Sequence, residues 1–361
     1  MKSWKKISLV SIAAVGLFGV SMTMANNEIG FNKEALHQQA KGIFAPLPKE
    51  ALNTENPYTK IKSDLGQMLF YEPRLSKGHT VSCNSCHSLA TYGVDNLPTS
   101  QGHKGQFGDR NSPTVLNAAL LGSQFWDGRA KDVEEQAGGP IMNPVEMAMP
   151  HQNLAVDTIA SIPEYQALFK QAFPGEKNPV NMPNIQKAIG LFERTLLTPT
   201  RWDDYLNGDA KALTEKELVG LNKFISTGCI ACHQGVNLGG DQFQKFGLVK
   251  DPYWQFTGSK KRDEGRFQVT QSEDDKYFFR VPGLRNVART YPYFHDGSVW
   301  SLEESVAIMG EAQLGQTYSK QDVKDIVAFL NVLTGEVPAA ARQLPILPAA
   351  TAKTPIPSSL D

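Results

Sequence analysis

The 361-residue sequence is poor in several things. Four cysteines are too few for a disulfide-dense scaffold. Neither sign of charge dominates, with 36 Lys+Arg against 37 Asp+Glu, so nothing supports a nucleic-acid-binding surface or a polyanionic tail. Long apolar runs are missing beyond the N-terminus and the mean hydropathy is −0.32, which rules out a multispanning membrane protein. Strand-like alternation is scarce too, and the fold is expected to be all-α. A chain of this length makes about two domains, each able to bury a core.

At the N-terminus, Lys2, Lys5 and Lys6 precede an apolar run from Ile7 to Val20, and the small residues Thr23 and Ala25 offer a cleavage site before Asn26. This reads as a signal peptide over residues 1–25 and places the mature protein in the periplasm. The alternative, an uncleaved anchor, is weakened because the run falls short of the about 20 residues needed to span a bilayer.

All four cysteines fall in two copies of Cys-x-x-Cys-His, at Cys83, Cys86 and His87 and at Cys229, Cys232 and His233. Two thiols one helical turn apart suit thioether bonds to the two vinyl groups of a haem, and the adjacent His supplies an axial nitrogen to its iron. A zinc ribbon would need its cysteine pairs close together, and a redox dithiol would not need the histidines. Two covalent c-type haems are therefore expected, with no disulfide.

A repeat supports two haem-binding halves. Pro113, Asn117, Phe125, Asp127, Gly128, Glu134 and Glu135 recur 169 residues later as Pro282, Asn286, Phe294, Asp296, Gly297, Glu303 and Glu304. The haem motifs are 146 residues apart, so the second half carries an insertion, read as a loop around Lys260 to Lys276. Capping boxes at Thr214–Glu217 and Ser301–Glu304 mark helix starts, and two helical stripes follow Ile185, Ala188, Ile189, Phe192 and Leu196 and Val323, Ile326, Val327 and Leu330. The expected division is 26–198 for one cytochrome c-like haem domain, 199–336 for the second, and 337–361 for an extended, Pro-rich tail.

The sixth iron ligands decide what each haem does. His103 sits sixteen residues after His87 in a Gly-flanked segment that could withdraw a ligand easily; taken alone, it reads better as an exposed loop histidine. Met309 occupies the repeat position of Pro140, which cannot ligate; taken alone, it reads as a core methionine.

Together these features resemble the bacterial dihaem cytochrome c peroxidases. The resemblance runs from about Asn56 to Gly335 and rests on Ser82–His87, Arg110–Asn117, Phe125–Gly128, Asn143–Met147, Thr290–Pro292 and Phe294–Gly297. It implies a low-potential peroxide site at the first haem, with His87 and a removable His103 on the iron, and a high-potential electron entry point at the second, with His233 and Met309. It also implies a peroxide pocket with Gln136 and Glu146, an inter-haem relay at Trp126, and a calcium ion held by Asn111 and the carbonyls of Thr290 and Pro292. Cleaving a peroxide so that water departs requires moving a proton from the inner to the outer oxygen. A carboxylate can carry it and an amide can hold the peroxide. Without the resemblance, Glu146 reads as a helix-surface carboxylate, Trp126 as a buried indole, and Gln136 as unremarkable beside its repeat mate Ser305.

The implied reaction is reduction of hydrogen peroxide to water with two electrons from a small periplasmic cytochrome c or cupredoxin, by a homodimer. Two alternatives stay open. One is a dihaem electron-transfer cytochrome; the other is a related dihaem enzyme that oxidises a side chain of a partner protein, a group in which Tyr replaces the second haem's Met.

Overall fold

The computed structural model describes residues 30–358, and the expected signal peptide lies outside them. Its helices are α1 (Lys33–Ile43), α2 (Lys60–Phe70), α3 (Cys83–Cys86), α4 (Val133–Met142), α5 (Gln152–Ala160), α6 (Pro163–Ala172), α7 (Met182–Glu193), α8 (Arg201–Leu206), α9 (Glu215–Ser226), α10 (Trp254–Thr257), α11 (Phe267–Thr270), α12 (Leu302–Leu314), α13 (Lys320–Val332) and α14 (Ala339–Arg342). One short antiparallel pair, β1 (Phe243–Lys245) and β2 (Phe278–Arg280), accompanies them.

Side-chain caps start the longer helices, because the first backbone N–H groups of a helix have no partner within it. Asn32, Thr59, Asp132 and Asn181 accept such bonds in the first half of the chain. Thr214 forms the full capping box with Glu217. Ser301 forms half of the expected one: its Oγ accepts from Glu304 N–H, while its own O–H donates to Glu303.

Each half is organised around one crossed helix pair. In the first, α2 meets α7 at Gly66, where any Cβ would strike the carbonyl of Ala188. In the second, α9 meets α13 at Gly220, where a Cβ would strike the carbonyl of Asp325. The absence of a side chain lets the backbones touch and brings the flanking apolar faces together. Leu65, Leu69, Ile185, Ile189 and Phe192 form the first core; Leu221, Phe224, Ile326, Phe329 and Leu330 form the second, around Trp202. Each such fully buried side chain is worth about 1.5–3 kcal/mol.

The sequence repeat is also a spatial one. Asn117 and Asn286 both adopt left-handed backbones, with φ of 59° and 63°. Their side-chain amides donate to the same Thr198 hydroxyl, at 2.8 and 2.9 Å. Helices α4 and α12 begin at equivalent repeat positions, Val133 and Leu302.

The chain ends cross over. Residues 33–44, assigned from sequence to the first half, pack on the second core instead, because Leu36, Ala40 and Phe44 make an apolar stripe that seats against α8 and α9. Phe44 and Trp202 meet edge to face at 5.3 Å, and His37 bonds the carbonyl of Tyr205 at 2.8 Å. The tail is extended, apart from the single turn of α14, and lies along the first half. Val337 and Ala341 join the first core, Tyr71 and Arg74 donate to the carbonyls of Ala341 and Pro348, and Ser358 N–H reaches Lys77 O at 3.0 Å.

Candidate functional site: two cavities and the residues between them

Each haem motif opens onto its own cavity. In the first half, Ser82 precedes the single turn of α3, which sets Cys83 and Cys86 on one side and His87 at its end. All three line a cavity of about 490 Å³. In the second half, a tight turn at Cys229–Ala231 follows α9, and Cys229, Cys232 and His233 line a cavity of about 190 Å³. The four cysteines are unpaired, and burial pushes their thiols up, Cys86 to about 11.

The motif histidines are held differently. His233 Nδ1 lies 3.0 Å from Leu238 O. A carbonyl can only accept, so Nδ1 carries the proton and Nε2 keeps its lone pair for a metal. His87 Nδ1 is buried without a close partner among the described residues, and the backbone of Gly93 and Pro113 acts on its ring from nearby. Burial lowers the pKa of both imidazoles, which favours the neutral form that binds a metal. Two thiols, an imidazole and an enclosed wall recur in each cavity, so these residues fit a covalently attached haem in each half.

The rest of the two linings differs. The second cavity is walled by Phe224, Phe246, Phe279, Val306 and Leu330, and Met309 on α12 lines it together with His233. The first carries polar groups. Gln136 on α4 and Glu146, just past its end, both face the cavity of His87, with Arg129 and Phe125 beside them. Glu146 Oε1 accepts from Asn143 Nδ2 at 2.7 Å, and burial raises its pKa against the lowering effect of Arg129 and that hydrogen bond. Pro140, the repeat mate of Met309, stands in the first wall.

His103 is not among the residues that line either cavity. It begins a tight turn in which Lys104 and Gly105 are left-handed, with φ of 57° and 74°. Its ring is buried near Gly78, its Nε2 has no partner among the described residues, and its N–H is shared between the carbonyls of Val145 and Glu146 at 3.0 and 2.8 Å.

Trp126 stands between the halves. It lines both cavities and a third, smaller one between them, and its Nε1–H donates to Asn111 O at 2.9 Å. Asn111, Thr290 and Pro292 all line that third cavity. They offer hard oxygen donors of the kind calcium prefers, and no carboxylate residue is among the lining.

Two features escaped sequence reasoning. The insertion near Lys260–Lys276 is no free loop: it reaches across to the first half and completes its cavity wall with Gln268 and Val269. Asp263 holds Arg110 through two bonds of 2.5 and 2.8 Å, and Arg266 donates to Asp127 O at 3.0 Å. The second is Arg280, which lines all three cavities. Its repeat mate is Asn111, a signal that was present in the sequence and not followed.

The sequence matches the family described as di-haem cytochrome c peroxidase over residues 60–211 and a cytochrome c family over 220–334. A cytochrome c551 peroxidase of Pseudomonas aeruginosa is 50% identical over 327 residues, covering 90% of this chain and 93% of the relative. One of Nitrosomonas europaea is 43% identical, covering 97% and 96%. Among solved structures, a MauG-like protein associated with microbial copper homeostasis superposes with a TM-score of 0.72 at 28% identity, covering 83% of this chain and 97% of that one. Similarity of this extent, on a helical fold with two Cys-x-x-Cys-His cavities, means that the chain belongs to the dihaem cytochrome c peroxidases and is an oxidoreductase of that family.

Proposed function

We propose that the two halves divide peroxide reduction between them, with electrons entering at the second cavity and peroxide bound at the first. The supporting observation is the contrast in lining: a thioether and aromatic rings around His233, and a carboxylate with an amide around His87. Cys83 and Cys86 would attach one haem, with His87 holding its iron; Cys229 and Cys232 would attach the other, with His233 and Met309 holding its iron. Haem supplies the redox-active iron, and a thioether ligand favours a high potential.

In the first cavity Glu146 takes the proton from the inner oxygen of hydrogen peroxide and returns it to the outer one, so that water is the leaving group. Its raised pKa brings it nearer the working range for that transfer. The Gln136 amide orients the peroxide by hydrogen bonding. Trp126, in contact with both cavities, bridges them for electron transfer. His103 serves as a removable ligand for the first iron. Its N–H bonds to Val145 and Glu146 link any movement of its turn to the segment that carries the proton-transfer residue.

The donor is a small cytochrome c or cupredoxin, the compartment is the periplasm, and the enzyme works as a homodimer with calcium bound at Asn111, Thr290 and Pro292. No helix among the described residues is long and apolar enough to cross a membrane.

The test is turnover by the holoenzyme: two molecules of a reduced small cytochrome c should be oxidised per hydrogen peroxide consumed. No peroxide-dependent oxidation with both haems attached would refute the assignment. A His103→Gly variant should react without prior half-reduction; equal dependence on half-reduction would remove the gating role.

A further inference from the structure

Arg280, at the end of β2, is 2% exposed and lies where the three cavities meet. Its backbone N–H donates to Trp126 O at 2.8 Å and its Nε–H to Phe125 O at 3.2 Å, which fixes the side chain against the inter-cavity indole segment. Its Nη1 is fully buried with no hydrogen-bond partner among the described residues. Six other arginines have carboxylate partners in salt bridges, namely Arg74, Arg110, Arg129, Arg194, Arg201 and Arg285. Arg280 has none among the described residues, although Asp241 acts on it through space.

A buried guanidinium remains a cation, since burial lowers its pKa only to about 10. Leaving such a charge unpaired away from water is strongly unfavourable, and an unmet buried donor in a native fold calls for a missing acceptor. An anion that arrives with whatever fills the cavities would meet both the charge and the open donor. A haem brings two propionate carboxylates at one edge, and arginine is the side chain best suited to bind a carboxylate.

We propose that Arg280 is the propionate-binding residue at the junction of the two haem sites, neutralising cofactor carboxylates there and raising the potential of the haem it serves. This rests on the dihaem reading of the cavities. Its place in the fold gives it a second consequence. Because the same residue is bonded to the carbonyls of Phe125 and Trp126, a carboxylate bound at its Nη1 is tied to the position of the indole between the halves. The first half places Asn111, a neutral side chain, at the equivalent repeat position, so the two halves do not supply this cation symmetrically.

The experiment compares holoenzyme with Arg280→Gln and Arg280→Lys, counting covalent haem and titrating both midpoint potentials optically. Removing a positive charge beside a haem favours its ferric form. In Arg280→Gln, with two haems attached, the reduced-to-oxidised ratio of at least one haem at fixed potential should fall about tenfold, or about 59 mV for a one-electron couple. Arg280→Lys should recover most of that shift. Unchanged midpoints in Arg280→Gln would overturn the inference, as would a Lys variant shifted as far as the Gln variant, since that points to lost packing and not lost charge. Should Arg280→Gln fail to mature, Arg280→Lys decides: midpoints near wild type support the inference, and a midpoint lowered by about 59 mV, a tenfold fall in the reduced-to-oxidised ratio, refutes it. Fewer than two haems in the wild-type protein would instead refute the dihaem reading.

Discussion

The two halves share a scaffold and differ at a handful of repeat-equivalent positions. Both cross two helices at a glycine, both place a left-handed asparagine on Thr198, and both end a helical turn with Cys-x-x-Cys-His. Against that background Pro140 stands opposite Met309, Gln136 opposite Ser305, Trp126 opposite His295 and Asn111 opposite Arg280. All eight side chains line cavities. The scaffold therefore sets where a haem goes, and a few wall residues set what it does. This is the general rule that function resides in sites grafted on folds.

The largest blow to this contrast falls on the proton-transfer residue of the first half. Glu146→Gln should lower peroxide turnover by about 10²–10⁴-fold, the usual worth of a general acid–base group. Covalent haem and both midpoint potentials should stay at wild-type values; a small rate loss would remove Glu146 from the proton transfer. Next comes the second half's thioether. Met309→His should lower the potential of the Cys229/Cys232 haem by on the order of 0.2 V, part of the ~0.8 V that axial ligation spans. An unchanged potential would remove Met309 from the iron.

Both halves also contain a buried ion pair, which lets their stabilities be compared. Glu134 and Arg194 meet at 2.7 Å in the first, and Asp203 and Arg285 at 2.7 Å in the second. Arg194→Met or Arg285→Met leaves a buried carboxylate alone and should cost about 3–5 kcal/mol in denaturant unfolding. Burial by itself would raise the Glu134 pKa, but hydrogen bonds from Arg194 and Asn56 outweigh it and the net shift is downward. The Glu134 contribution is thus complete above the unfolded carboxylate pKa and is lost as pH falls through the lower folded value. Arg194→Met should flatten that acid limb; an unchanged pH dependence would show that the pair does not control it.

The smallest effect concerns pH and rate. Glu146 must be ionised to accept a proton, and its pKa is raised by burial. The acid limb of kcat/KM for peroxide should therefore lie above the ordinary carboxylate value of about 4.3. A limb at or below that value would contradict the burial seen here.

Much of this was legible in the sequence. The Cys-x-x-Cys-His spacing, the 169-residue repeat and the helical stripes in α7 and α13 are local patterns, and local patterns survive in a linear string. Leu196, at the end of one stripe, lies beyond the last turn of α7 but still in the first core. What was not legible depends on long-range packing. Residues 33–44 and 337–358 each cross to the other half, because an amphipathic stripe does not say which groove it will fill. The insertion reads as a polar loop, yet the Asp263–Arg110 pair, formed between residues 153 apart, turns it into a wall of the first cavity. Arg280 is one of many arginines in the string; beyond its repeat mate Asn111, what marks it is a buried Nη1 with no partner among the described residues.

The central claim is that one haem receives electrons and the other meets peroxide. Stepwise reduction of the holoenzyme followed by EPR, with peroxide added at the one-electron stage, tests it most directly. The account predicts that the first electron removes the ferric signal of the Cys229/Cys232 haem, identified by its shift in Met309→His, and that peroxide then perturbs only the Cys83/Cys86 haem. Reduction of both haems in one step, or first reduction at Cys83/Cys86, would contradict it.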